Sequence, residues 1–208
     1  MECIVIADDH TMVRKGIKLL LSSRLECRNI IETDSCSSLL AELKNRRCTH
    51  LILDVVLSDG ISLEIVPTIR KLYPDIKIMI FSMQPFDIYA EAFRAYNIYF
   101  YLSKSSSEEA TINYLKRFLS PEIYPANYTE SPMVSSPFSN LTQRELEILH
   151  YLINGYKTKE IAQTLNINDN TVSTFKHRIF EKTGTDNLAH LLELWSVNKV
   201  QMESAVKK

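Results

Sequence analysis

The chain has 208 residues, long for one ordinary domain and comfortable for two. Its 24 Lys and Arg against 25 Asp and Glu give a formal net charge of -1, so any DNA-binding surface must be a local basic patch. Four scattered glycines, Gly16, Gly60, Gly155 and Gly184, exclude a Walker loop or a dinucleotide fingerprint, both of which need clustered glycines.

Four cysteines, Cys3, Cys27, Cys36 and Cys48, show no CxxC spacing and read as small buried hydrophobes of a reducing compartment. No apolar run is long enough to span a bilayer, and no basic region precedes the short apolar run at the N-terminus. The expectation is a soluble, cytoplasmic chain with no membrane partner.

In chain order, residues 3–7, 29–32, 50–53, 77–81 and 99–102 read as buried strands. Amphipathic helical segments separate them. Val13, Ile17, Leu20 and Leu21 share one face, as do Leu39, Leu40 and Leu43, then Ile65, Ile69 and Leu72. A helix over 87–96 follows, and another begins near Ser106, which forms a capping box with Glu109 and buries Ile112, Leu115 and Leu119. Five strands each followed by a helix predict an α/β doubly wound parallel sheet, whose ligands gather at the carboxyl ends of the strands.

Residues 120–140, with Pro121, Pro125, Pro132 and Pro137, keep no period and read as a linker, part of which, around 123–128, can pack on a neighbouring domain. Beyond Leu141 the pattern is helical throughout. Leu146, Leu149 and Ile153 mark one helix, ended by Gly155, and Ile161, Ala162 and Leu165 a second, short one. Val172, Phe175 and Ile179 mark a third, ended by Gly184, and Leu188, Leu191, Leu192 and Trp195 a fourth.

The chemistry sits at the strand ends. Asp8 and Asp9 follow the first strand, Asp54 follows the third, Ser82 ends the fourth and Lys104 comes after the fifth. Taken singly, these are a helix cap, a turn and a solvated charge. Together they bring three carboxylates, a hydroxyl and an ammonium to one sheet edge. Mutual repulsion of the carboxylates favours a hard divalent cation such as Mg2+. A carboxylate can then act as nucleophile and become an aspartyl-phosphate, with Lys104 and Ser82 meeting the phosphoryl oxygens.

Asp8-Asp9-His10, Leu-Ile-Leu-Asp54, Phe81-Ser82 and Leu102-Ser103-Lys104 resemble the receiver domain of two-component response regulators, which have a flavodoxin-like fold. The resemblance implies that Asp54 takes phosphate from a sensor histidine kinase. It also implies that Asp8, Asp9, Asp54 and the Val56 carbonyl hold Mg2+, and that Tyr101 is an aromatic switch coupled to Ser82. Several positions depart from the pattern. Ser58 stands for the usual proline, Ser62 for glycine, Ser105 for the proline after the lysine, and Asn97 and Phe100 for small residues. The Ser105 departure puts the usual cis peptide bond in doubt. Val56 has no polar side chain to orient a water, so slow autodephosphorylation is expected, with a phosphoryl lifetime well beyond seconds.

Leu141-Thr142-Gln143-Arg144-Glu145, Lys159-Glu160-Ile161-Ala162 and the run from Asn170 to Lys176 resemble the NarL/LuxR-type helix-turn-helix. The resemblance implies a small all-α four-helix domain whose third helix enters the major groove of double-stranded DNA, and whose fourth forms a homodimer contact. Helical projection sets Ser173, Thr174 and His177 opposite the apolar face, toward base edges. Lys176, Arg178 and Lys182 flank them and suit phosphates. Thr158 and Lys159 add contacts at the start of the second helix, where free amides favour anions.

The expected organisation is a receiver over 1–119, a linker over 120–140, a helix-turn-helix domain over 141–200 and a tail over 201–208. Two other readings carry different consequences. A haloacid-dehalogenase-type phosphatase would need a second Asp two residues after the nucleophile, where Val56 stands. A phosphorylation-independent DNA-binding regulator would use the receiver only for protein interaction and would ignore Asp54→Asn.

Overall fold

The computed structural model describes residues 3–121 and 136–205, which form two compact units, one holding a sheet and the other the C-terminal helices. The sequence reading of 123–128 lies outside the described residues. The sheet strands are β1 (Ile4–Ala7), β2 (Ile30–Thr33), β3 (His50–Leu53), β6 (Lys77–Ser82) and β7 (Phe100–Ser103). Each lies within one residue of its expected bounds. They pair in parallel in the order β2-β1-β3-β6-β7, with Ile4 beside both Ile30 and His50 and Met79 beside Phe100. Both faces of β1 and β3 are covered, which is why these strands read as continuous apolar runs rather than alternating ones. A two-residue hairpin, β4 (Val56–Leu57) with β5 (Gly60–Ile61), follows β3 directly.

The helices between strands are α1 (Thr11–Arg24), α2 (Cys36–Asn45), α3 (Val66–Leu72), α4 (Phe86–Arg94) and α5 (Glu108–Leu119). On one sheet face Ile4, Ile6, Ile52, Met79 and Phe81 pack with Ile17 and Leu21 of α1 and Leu115 and Phe118 of α5. Full burial of one such side chain contributes about 1.5–3 kcal/mol, so this cluster fixes the sheet that carries the strand-end residues.

Two expectations need correction. The cap of α5 is Ser107, whose hydroxyl accepts from Ala110 N–H at 3.2 Å, in place of a Ser106–Glu109 box. Ser106 N–H is instead spent on a turn to the Ser103 carbonyl. Leu72 is 59% exposed rather than on the buried face. A 3-10 turn over Ser62–Glu64 delays the helix, so Val66 and Ile69 face inward and Leu72 closes the last turn outside. Every peptide bond among the described residues is trans.

The second unit holds α6 (Gln143–Ile153), α7 (Thr158–Thr164), α8 (Asp169–Thr183) and α9 (Leu188–Ala205). Thr142 caps α6 reciprocally, since its N–H donates to Glu145 Oε2 at 2.7 Å and Glu145 N–H donates back to its hydroxyl at 3.4 Å. Gly184 ends α8 at φ 66, a left-handed conformation that a Cβ would penalise. The core takes Leu146, Leu149, Ile161, Ala162, Val172, Ile179 and Leu191, with Phe138 edge-on to Trp195 at 5.4 Å. α9 runs on to Ala205, past the 200 boundary read from sequence. Among the described residues no helix is long and apolar enough to cross a membrane.

Candidate functional site

Parallel strands deliver Asp8, Asp9, Asp54, Ser82 and Lys104 to one edge of the sheet, four of them at or just past the ends of β1, β3 and β6. Asp54 is held by its neighbours on both carboxylate oxygens. Ser82 Oγ, 1% exposed as a residue, donates to Asp54 Oδ1 at 2.5 Å. Lys104 Nζ donates to Asp54 Oδ2 and pairs with Asp8 Oδ2 at 2.7 Å. Burial pushes the Asp54 carboxyl above the ordinary range, against the opposing pull of Lys104 and Ser82. Burial works to lower the Lys104 ammonium, but the Asp54 and Asp8 carboxylates overcome it and hold the group above its usual value. The lysine is therefore a fixed cation between two acids.

Asp8, Asp9, His10 and Asp54 each offer a ligand atom, all within 4.8 Å of one another. Asp9 Oδ1 accepts no hydrogen bond among the described residues, although His10 Nδ1 lies 2.6 Å away. Hard oxygen donors with one unsatisfied atom make an acidic pocket compatible with a divalent metal such as Mg2+. Two residues here were given no role in the sequence reading, which quoted His10 only as part of a motif and did not name Arg14. His10 closes on Asp9, and Arg14 Nη1 reaches back from α1 to donate to the Asp8 carbonyl at 2.5 Å. The only prior signal for Arg14 was its place one turn into the helix that follows the acids.

The loop after Asp54 is clipped to the amino end of α2. Ser58 N–H and Oγ both donate to the Asp34 carbonyl, at 3.0 and 2.9 Å. Asp59 accepts from Cys36 N–H at 2.5 Å and Ser37 N–H at 3.0 Å. Those amide bonds hold the Asp59 carboxyl below its usual value despite the opposing effect of burial. The loop carries Val56, which lies in the hairpin. Tyr101, half-buried on β7, donates its hydroxyl to the Gln84 carbonyl at 2.8 Å and meets Phe86 edge-on at 5.1 Å. Gln84 N–H in turn donates to Ser82 Oγ at 3.2 Å, so tyrosine and serine share one short loop. Past Lys104, Ser105 N–H donates to Ser103 Oγ at 3.2 Å, a local bond where proline would have none to give. Asn97 adopts φ 56, which asparagine tolerates better than most non-glycine residues.

In the helical unit, Val172 and Ile179 of α8 are buried and Phe175 half-buried, while Ser173, Thr174, His177 and Arg178 are exposed. The Ser173 and Thr174 hydroxyls donate to the carbonyls of Asp169 and Asn170, at 3.0 and 2.9 Å. Lys176 lies over Phe180 and Arg178 over Phe175, each 5.7 Å from the ring centre. Lys159 is exposed and Thr158 half-buried at the start of α7.

Two groups of this unit already have partners within it. Lys182 is committed within the domain, its Nζ 2.7 Å from Glu145 Oε2 and 3.2 Å from the Asn140 carbonyl. At the start of α7, Glu160 accepts from Lys157 N–H at 2.6 Å.

A parallel five-stranded sheet with an acid pocket at its carboxyl edge, met by a lysine and a serine, defines a receiver. Residues 4–116 match the response regulator receiver domain family, and residues 139–194 match the family of bacterial regulatory proteins, luxR family. The chain belongs to the response regulators of the NarL/LuxR type, with a receiver followed by a LuxR-type helix-turn-helix DNA-binding domain.

Relatives align along almost the whole chain. The Fimbriae Z protein of Escherichia coli strain K12 is 26% identical over 197 residues, covering 91% of this chain and 94% of that protein. The response regulator UvrY of the same strain is 27% identical, covering 90% and 92%. The oxygen regulatory protein NreC of Staphylococcus epidermidis is 29% identical, covering 91% and 94%. Among solved structures, a complex of the two-component response regulator RcsB with DNA superposes with a TM-score of 0.77 at 23% identity, covering 94% of this chain and 98% of that one. Salmonella enterica serovar Typhimurium RcsB, bound to promoter rprA in the presence of phosphomimetic BeF3-, gives 0.75 at 22%, with the same coverage. These structural likenesses concern the fold.

Proposed function

We propose that this chain is a cytoplasmic transcriptional regulator, phosphorylated on Asp54 by a sensor histidine kinase, and that the phosphoryl group controls homodimerisation and DNA binding. The observation that carries the reading is the Asp54 carboxylate, met by Ser82 on one oxygen and Lys104 on the other. Asp8, Asp9 and Asp54, with the Val56 carbonyl, would hold Mg2+, which when bound offsets the charge gathered by carboxylates and phosphoryl oxygens.

An Asp54 oxygen forms the new bond to phosphorus while the bond to the donor's leaving group breaks. Lys104 exchanges the Asp54 carboxylate for a phosphoryl oxygen, and Ser82 turns its hydroxyl from carboxylate to phosphoryl. The modification adds roughly -1.5 to -2 charges. As Ser82 leaves Gln84 N–H, Tyr101 gives up the Gln84 carbonyl and turns inward, changing the surface around α4 and β7. The protein acts on itself once per signal rather than turning over an external substrate.

At the other end, α8 enters the major groove with Ser173, Thr174 and His177 toward base edges. Lys176 and Arg178 contact phosphates, supported by Thr158 and Lys159 on the backbone. Lys182 is left out because Glu145 holds it. α9 supplies the contact between copies on adjacent half-sites. The RcsB structures bound to promoter DNA with a phosphomimetic support this by likeness of fold.

Intact-protein mass after incubation with Mg2+ and acetyl phosphate tests the acceptor. One phosphoryl group should appear on the native chain and none on Asp54→Asn, followed by tighter DNA binding of the modified form alone. An unmodified native chain at short, cold time points, or equal regulation by Asp54→Asn, would transfer the function to the DNA-binding unit and leave the receiver as a protein-interaction module.

A further inference from the structure

The amino edge of the sheet, away from the acid pocket, holds two thiols in contact. Cys3, 3% exposed, immediately precedes β1, and Cys48 lies in the short connection that leads from α2 into β3. Their sulfurs are 3.3 Å apart, with the Cys3 thiol donating to Cys48 Sγ. Both are free, and 45 residues separate them in sequence.

The backbones that carry the thiols are fixed. The Cys3 carbonyl accepts from Thr49 N–H at 2.9 Å and His50 N–H at 3.2 Å, while Cys3 N–H donates to Thr49 Oγ1 at 3.2 Å. Strand pairing, with Ile4 beside His50, sets the same register. A disulfide needs the sulfurs at about 2.05 Å, a short closure from the 3.3 Å at which they already stand. Cys48 is half-buried among exposed Arg46, Arg47 and Thr49, so one thiol of the pair can be reached from solvent.

We propose that Cys3 and Cys48 form a redox modification site, converted by a peroxide into an intramolecular disulfide that staples β1 to the connection entering β3. The Cys48 thiolate attacks a peroxide oxygen. An S–O bond forms, the O–O bond breaks, and water leaves with the thiol's proton, giving a sulfenic acid. Cys3 then attacks the Cys48 sulfur. The S–S bond forms, the S–O bond breaks, and the departing hydroxide takes the Cys3 proton as a second water. The net change is two thiols and one peroxide to one disulfide and two waters.

Burial, together with the bond from Cys3, pushes the Cys48 thiol up to about 12, so thiolate is scarce at neutral pH. The reaction is therefore slow and quickens with pH, which suits a mark that accumulates under sustained oxidation. The acid pocket lies at the opposite strand ends, so phosphoryl acceptance by Asp54 continues in the stapled form.

The test treats the full chain with hydrogen peroxide at neutral and alkaline pH, blocks remaining thiols by alkylation, and reads intact mass and peptide maps. Expected is loss of two hydrogens, faster at alkaline pH, with one cross-linked peptide joining Cys3 to Cys48 and full reversal by dithiothreitol. A Cys27→Ser/Cys36→Ser chain should behave identically, and Cys48→Ser should lose the cross-link. The stapled form should melt at a higher temperature and still take phosphate from acetyl phosphate. Oxygen addition in place of hydrogen loss, a link through Cys27 or Cys36, or no change even at alkaline pH overturns the proposal.

Discussion

The two units keep their buried charges in opposite places. In the first, the buried acids Asp8 and Asp54 sit in the functional pocket itself, with Lys104 between them. In the second, the acids Glu145 and Glu147 are buried along α6, while Ser173, Thr174, His177 and Arg178 of α8, the residues proposed to meet DNA, stand in solvent. A buried charge is strongly coupled to its neighbours, because little water screens it. Under the proposed function, one added phosphoryl group is thereby converted into a structural change. An exposed reading surface instead gains affinity by many small, salt-screened contacts. One unit is built to switch, and the other to bind.

The largest effect is expected at Lys104. Lys104→Ala leaves the Asp8 and Asp54 carboxylates facing each other without their cation, at about 3–5 kcal/mol of stability. Urea denaturation of both chains should show this loss, and added Mg2+ should recover part of it in the variant. A variant as stable as the native chain would place the pocket's charges in the screened regime and break the contrast.

His150 examines a buried group that the helical unit keeps neutral. Burial depresses its imidazole to about 4 from an unfolded value near 6.5. Between those values the unfolded chain binds the proton and the folded one does not. Stability is therefore full above about pH 6.5 and falls as pH drops toward 4, by up to about 3 kcal/mol. Melting curves across that window should show the fall, and His150→Leu should flatten it relative to the native chain.

The smallest effects belong to the reading face. Arg178→Ala and Lys176→Ala should weaken binding to specific and non-specific DNA alike and reduce the salt slope by about 1 each. Lys182→Ala should leave that slope unchanged and lower stability by about 1 kcal/mol, since its partner is Glu145. A salt-slope change at Lys182 would return it to the DNA surface. Salt titrations of DNA affinity separate the three.

Much of this was legible in the chain because parallel sheets turn periodicity into position. Once five apolar runs were set side by side, residues at their ends had to share an edge, so Asp8, Asp54, Ser82 and Lys104 could be grouped across a hundred positions. Turn and side-chain detail was not legible. Ser106 and Ser107 offer the same hydroxyl one residue apart, and only the turn bond from Ser106 N–H decides which one caps α5. Lys182 projects beside the reading face, but its flexible stem carries the ammonium back to a buried acid 37 positions away. Leu72 kept the helical period, yet the preceding 3-10 turn shifted where the helix begins. The contact of Cys3 with Cys48 follows from strand register, which no local spacing encodes.

Ser58 has a consequence for how the acceptor loop acquires its order. A proline stiffens a loop chiefly by narrowing the unfolded chain, so its effect is written into the covalent backbone. Ser58 leaves the unfolded chain free and supplies order only through two bonds to the Asp34 carbonyl in the folded one. Since one of them uses the backbone N–H, a proline ring at 58 would remove the bond that stands in its place. The loop beside Asp54 is thus as rigid as the amino end of α2 is intact: an opening of that end releases the loop, and its closure resets it.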